Sequence, residues 1–175
     1  MAVCNQGRKV ATSYFSRLRE MGSGNPHMPR LKRILLAEDD TVGVELTLTA
    51  LAQCGLADRV DVVRDGGEAL DYLYGRANDQ GRGAGMPAVL LLDLKMPKVG
   101  GLEVLRRVRA DEKLARLPVV MLTSSRQERD LIESYRLGVN AYVVKPIDFD
   151  RFIDALTQVA VFWALVNEPP PEAES

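Results

Sequence analysis

Five residues of types that hold metals or phosphoryl groups stand at the ends of apolar runs. Glu38 and Asp39 follow Ile34-Leu35-Leu36-Ala37, and Asp93 follows Val89-Leu90-Leu91-Leu92. Thr123 follows Val119-Val120-Met121-Leu122, and Lys145 follows Ala141-Tyr142-Val143-Val144. One such carboxylate is an ordinary turn or cap residue. Three carboxylates, a hydroxyl and an ammonium in the same position of four runs are hard to explain as turn chemistry. Were the run ends neighbours, Glu38, Asp39 and Asp93 could not all ionise without counter-charge, because close like charges raise pKa values. Lys145 supplies one positive charge. A hard divalent cation would supply the rest, and Mg²⁺ characteristically takes one or two carboxylates together with waters and phosphate oxygens. A carboxylate beside Mg²⁺ and a lysine can attack phosphorus and hold an aspartyl phosphate. Metal, lysine and hydroxyl would then neutralise the charge of an in-line transition state.

The elements that must position these residues follow from patterning. The unbroken apolar runs read as strands buried on both faces, as in a parallel sheet. Met96-Pro97 stops the central one, since proline has no N–H to donate. Thr41 to Cys54 carries Val44, Leu48, Leu51 and Ala52 at helical spacing, with Gly55 at its end. Arg59 to Val63 alternates as a further strand, and Asp65-Gly66-Gly67 predicts a turn. A short helix over Glu68–Tyr74 turns Ala69, Leu70 and Leu73 inward. Another over Leu102–Asp111 buries Leu102, Leu105 and Val108 and leaves Arg106, Arg107 and Arg109 on a solvated face. Ser125 to Arg136 is a charged helix closed by Gly138, and a last helix runs from Asp148 to about Val166. Alternating strands and helices, joined by right-handed crossovers, predict a single flavodoxin-like α/β domain. Its sheet is doubly wound, with five parallel strands in the order 2-1-3-4-5. There strands 1, 3, 4 and 5 lie side by side, and ligands bind outside their carboxyl ends.

Bulk properties narrow the field. A chain of 175 residues suits one domain over 31–167, with a flexible extension over 1–30 and a disordered proline-rich, acidic tail over 168–175. A net charge of −1 gives no bias toward nucleic acid or membrane surfaces. No apolar run approaches the ~20 residues of a membrane span, and no apolar segment of a secretion signal follows Arg8 and Lys9. Cys4 and Cys54 build neither a disulfide framework nor a zinc site. The expectation is a cytoplasmic protein. The single histidine, His27, lies in a Gly/Pro-rich segment, which argues against Ser-His-Asp or Cys-His catalysis. Gly81-Arg82-Gly83-Ala84-Gly85 precedes a strand, whereas a phosphate-cradling loop follows one.

The motifs Leu36-Ala37-Glu38-Asp39-Asp40, Leu91-Leu92-Asp93-Leu94-Lys95-Met96-Pro97 with Gly100-Gly101, Leu122-Thr123-Ser124 and Tyr142-Val143-Val144-Lys145-Pro146 occur in this order. In motif, order and spacing the chain resembles the receiver domains of two-component response regulators over about residues 31–166. The resemblance implies that Asp93 is the phosphoacceptor. Glu38 and Asp39 match the acidic pair, with Asp39 the more direct metal ligand and the Lys95 backbone carbonyl another ligand of Mg²⁺. Thr123 would hydrogen-bond the phosphoryl group, Lys145 would pair with it, and Tyr142 occupies the aromatic switch position. Asp40 is not assigned to the metal, and the Lys95 side chain is expected to point to water.

More narrowly, Asp65-Gly66-Gly67-Glu68-Ala69-Leu70-Asp71-Tyr72-Leu73, the long loop after it, Leu137 to Tyr142, and Phe162-Trp163 resemble the single-domain regulators that accompany phytochromes. The implied partner is a sensor histidine kinase of the phytochrome type, and the protein is a signalling switch rather than an enzyme. Two alternatives are a Mg²⁺-dependent phosphohydrolase using an aspartyl phosphate and a phosphorylation-independent binding module. The first is disfavoured because Lys95, not an aspartate, stands two residues after Asp93. Val159 to Val166 is apolar on every side, although Phe149, Phe152, Ile153 and Leu156 already supply one stripe for the sheet. A second copy is the expected cover, through helix 4, strand 5 and helix 5, with Phe162, Trp163 and Val166 at the interface.

Overall fold

The structure, a computed structural model, describes residues 33–53, 55–75, 86–124, 127–145 and 149–167. The expected 1–30 extension and 168–175 tail lie outside these, as do both cysteines and His27. Five parallel strands, β1 (Ile34–Ala37), β2 (Val60–Val63), β3 (Val89–Asp93), β4 (Val119–Thr123) and β5 (Ala141–Val144), pair in the order β2-β1-β3-β4-β5. Between and after them run α1 (Thr41–Ala52), α2 (Gly66–Leu73), α3 (Gly101–Ala110), α4 (Glu128–Arg136) and α5 (Phe149–Val161). This is the expected flavodoxin-like fold.

Alternation of side chains along each strand divides the apolar residues between the two faces of the sheet. Leu35, Ala37, Leu90, Leu92, Val119 and Met121 pack with Leu70, Leu105 and Val108 beneath α2 and α3. Ile34, Leu36, Leu91, Val120 and Leu122 pack with Val44 and Leu51 of α1 and with Phe152, Ile153 and Leu156 of α5. Each Val, Leu, Ile, Met or Phe among them contributes about 1.5–3 kcal/mol on full burial. That reserve allows polar groups to be buried at one rim.

Several element boundaries and faces differ from expectation. In α1 the inward residues are Gly43, Val44, Thr47, Ala50 and Leu51, while Ala52 is exposed. Steps of three and four from Val44 lead to Thr47, Ala50 and Leu51, and Ala52 falls about 100° off that stripe. Arg59 belongs to a 3-10 turn (Ala57–Arg59) rather than to β2. Gly66 and Gly67 begin α2 instead of forming a turn: Asp65 caps the helix, accepting the Glu68 N–H at 2.9 Å. Arg106 and Arg107 pair with Glu103 on the exposed face. Arg109 does not join them. Its guanidinium donates to the carbonyls of Gly138, Ala115 and Leu117 and to Asn140 Oδ1, filling acceptors at two loop ends. The last helix changes at Phe162 to a π-helical turn (Phe162–Val166), closed by Asn167 N–H donating to the Phe162 carbonyl at 2.7 Å. Among the described residues no helix is long and apolar enough to cross a membrane.

Candidate functional site

Strand register brings the polar ends together. Ala37 pairs with Leu92, Asp93 with Leu122, and Thr123 with Val144. One residue on, Glu38 stands beside Asp93. The Lys145 N–H continues the ladder to the Thr123 carbonyl at 2.7 Å. Glu38, Asp39, Asp93, Lys95, Thr123 and Lys145 line one cleft at the carboxyl rim. Glu38, Asp93 and Thr123 are buried and Asp39 is exposed, so the set is open to ligand from one side.

The cleft is an electrostatic unit. Lys145 Nζ donates to Asp93 Oδ1 at 2.8 Å and also to Glu38 Oε2. The other Asp93 oxygen accepts the Lys95 N–H at 2.7 Å, which fixes the carboxylate plane. Burial pushes the Glu38 carboxyl above its usual range, against the pull of Lys145 and with a further push from Asp93. Burial works against the Lys145 ammonium, but its hydrogen bonds to Asp93 and Glu38 and their charges together outweigh it, and its pKa is raised. Glu38, Asp39 and Asp93 each offer an oxygen, all within 4.8 Å of one another. With every group ionised, three carboxylates and one ammonium leave two negative charges. An all-oxygen donor set with that excess fits a hard divalent cation.

Local sequence explains the positioning. Asp40, not a metal ligand by the sequence expectation, caps α1 by accepting the Gly43 N–H at 2.9 Å. Gly43 itself makes room for the buried glutamate: a Cβ there would lie 2.7 Å from the Glu38 carboxyl carbon. The Lys95 side chain is exposed, as a strongly hydrated group should be. Tyr142 is half-buried on β5, against the core beneath α2 and α3.

At the expected dimer face, Phe162 and Val166 are exposed, while Trp163 packs against its own core and meets Phe162 edge-on at 5.0 Å. Periodicity alone overlooked three exposed apolar residues on α4, namely Leu131, Ile132 and Tyr135. It also missed Gly43 and the pairing of Lys98 with Asp65. A side chain's spatial neighbour on another element leaves no mark in local patterning.

Residues 34–157 match the family described as the response regulator receiver domain. The chain belongs to that family. Among solved structures, this receiver domain is similar to the bacteriophytochrome response regulator AtBRR, with 58% identity and a TM-score of 0.64 over 80% of this chain and 100% of that one. It is similar to the phosphorylated cyanobacterial phytochrome response regulator RcpA, at 36% identity and a TM-score of 0.70, covering 80% and 99% of the two chains. Response regulator Rcp1 of Synechocystis sp., in its Mn(2+)-bound form, is 32% identical with a TM-score of 0.70 over 80% and 99%. The receiver domain thus resembles phytochrome-associated response regulators, and its acidic pocket of Glu38, Asp39 and Asp93 is consistent with a phosphoacceptor and metal site. Receivers are phosphoacceptor signalling domains rather than conventional enzymes, which sets the phosphohydrolase alternative aside.

Proposed function

We propose that Asp93 accepts a phosphoryl group from a sensor histidine kinase of the phytochrome type, with Mg²⁺ held by Asp39, Asp93, the Lys95 carbonyl and, less directly, Glu38. The observation that carries this reading is the Asp93 carboxylate itself, held between Lys145 and the Lys95 N–H with two further carboxylates within reach. In the transfer, an Asp93 oxygen forms the new P–O bond while the P–N bond to the donor imidazole breaks, the imidazole nitrogen keeping the electron pair. Bound Mg²⁺ would offset phosphoryl charge that the carboxylates otherwise repel. Lys145 would exchange its contacts with Glu38 and Asp93 for the incoming phosphoryl oxygens, and Thr123 would donate its hydroxyl to them. Movement of Thr123 would open space for Tyr142 and so reach α4, a two-state element of the kind that carries such switches. Exposed Phe162 and Val166 support a homodimer built on α4, β5 and α5, and a receiver of this family is expected in the cytoplasm.

Incubation with acetyl phosphate and Mg²⁺, followed by mapping of an acid-stable, base-labile phosphoryl group, tests the proposal. Label should fall on Asp93 and vanish in Asp93→Asn while the fold persists. Undiminished labelling of that variant would refute the assignment.

A further inference from the structure

The loop from Leu94 to Gly100, which carries Lys95, holds a conformation its sequence does not favour. Lys98 has φ of 61° and is, among the described residues, the non-glycine residue with positive φ. Val99 N–H donates to the Pro97 carbonyl at 2.7 Å, so Lys98 centres a γ-turn of the rare positive-φ kind. Such strain persists only where the surroundings over-determine it, and it clusters at ligand clamps and switches.

Three contacts impose the turn. Lys98 Nζ donates to Asp65 Oδ2 at 2.5 Å. Asp65 is buried, and its other oxygen caps α2, so one carboxylate serves helix and loop together. Hydrogen bonding to Lys98 is the main cause that holds the Asp65 carboxyl below its usual range. Gly66 admits the loop backbone against the first turn of α2: a Cβ there would sit 2.1 Å from the Val99 carbonyl oxygen. At the far end the Gly101 N–H donates to the Leu94 carbonyl at 3.0 Å, and a Cβ on Gly101 would lie 2.2 Å from the Asp93 carbonyl oxygen. The loop is clamped at both ends, by α2 through Lys98 and by the end of β3 through Gly101.

We infer that the Asp65–Lys98 ion pair is a tether that sets the β3–α3 loop, and with it the Lys95 main chain, at the separation from Asp93 that divalent-cation binding requires. This rests on the proposed metal and phosphoryl site. Lys98 and Asp65 are positioning residues, and neither is among the groups that would hold the cation. Because the Lys98 side chain is 73% exposed, the tether is worth a few-fold in affinity rather than orders of magnitude.

The test uses the full chain with Lys98→Met, Asp65→Asn, their double variant and Lys98→Arg. Asparagine keeps a cap acceptor for the Glu68 N–H, so Asp65→Asn removes charge without uncapping α2. Two readouts are taken: the Mg²⁺ dependence of phosphorylation by acetyl phosphate, split into half-saturation and maximal rate, and amide exchange of Lys95 without Mg²⁺. Lys98→Met and Asp65→Asn should each raise the Mg²⁺ half-saturation roughly three- to fivefold with an unaltered maximal rate, and should speed Lys95 exchange. The double variant should be no worse than either single one, and Lys98→Arg should restore both readouts. Additive losses, a half-saturation unchanged in the variants while the parent responds to Mg²⁺, or failure of arginine to substitute would overturn the tether alone. A parent blind to Mg²⁺ would overturn the metal site, and Lys95 exchange unchanged by Lys98→Met would then still overturn the tether.

Discussion

Lys145→Met would leave the Glu38 and Asp93 carboxylates, 1% and 6% exposed, without the ammonium they share. Methionine keeps most of the apolar stem, so the change is chiefly one of charge. The carboxylate oxygens lie within 4.8 Å of one another. At that separation and an effective dielectric constant of about 20, two unit charges repel by roughly 3.5 kcal/mol. Protonation limits the loss. From the ordinary glutamate value of 4.5, neutralising the group at pH 7 costs about 3.4 kcal/mol, at 1.36 kcal/mol for each pH unit. Burial already pushes Glu38 above that value, so its actual cost is smaller. The expected destabilisation at pH 7 is therefore about 2–3 kcal/mol.

The sign with pH follows from the raised carboxyl. A group whose folded pKa lies above its unfolded value adds stability that is fully present below the unfolded value and lost as pH rises through the folded one. Without Lys145 the main downward pull on Glu38 is gone and only the Asp40 backbone hydrogen bond still lowers it, so the variant should gain stability relative to the parent on acidification. At pH 5 the remaining deficit should be under about 0.7 kcal/mol. Urea unfolding of both proteins at the two pH values measures this directly. Mg²⁺ at pH 7 should also recover part of the loss, since it binds the folded state. A deficit equal at both pH values, or below about 1 kcal/mol at pH 7, would refute the electrostatic account of the cleft.

Three further expectations follow from the same structure. Mg²⁺ at about ten times its dissociation constant should stabilise the parent by roughly 1.4 kcal/mol, and Asp39→Ala should abolish the effect; an undiminished melting shift would place the cation elsewhere. Tyr72 is raised to about 12, first by burial and then by its 2.7 Å hydrogen bond to Asp61, which also pairs with Arg33. Its stabilising contribution should be intact below the usual tyrosine value and fade as pH rises through about 12. Ultraviolet titration should accordingly lose one late-ionising phenol in Tyr72→Phe. Finally, Phe162→Ala with Trp163→Ala should give a monomer that still takes phosphate at Asp93. A parent that sediments as a monomer at tens of micromolar, phosphorylated or not, would exclude the dimer; because Trp163 already packs on its own core, Phe162→Ala alone should carry most of the effect.

What the sequence determined by itself was the architecture and the membership of the cleft. Unbroken apolar runs ending in Glu38-Asp39, Asp93, Thr123 and Lys145 carry their own register, because each polar residue marks where the apolar run stops. Parallel order then forces those ends together. The helix faces were less legible. Thr47 lies inward and Ala52 outward because α1 follows the phase set by Val44 and Leu51, and one residue's rotation outweighs its polarity. Arg109 looked like its neighbours in a basic cluster, yet it is drawn to carbonyls of the loop that follows its own helix and of the distant loop before β5. Only the tertiary structure decided that Gly43 is shaped to Glu38, that Asp65 caps a helix while holding Lys98, and that Trp163 turns onto its own core. Each of these depends on a side chain or backbone of another element or turn, whether five residues away as for Gly43 and Glu38 or thirty-three as for Asp65 and Lys98, and local composition carries no record of a distance that folding alone creates.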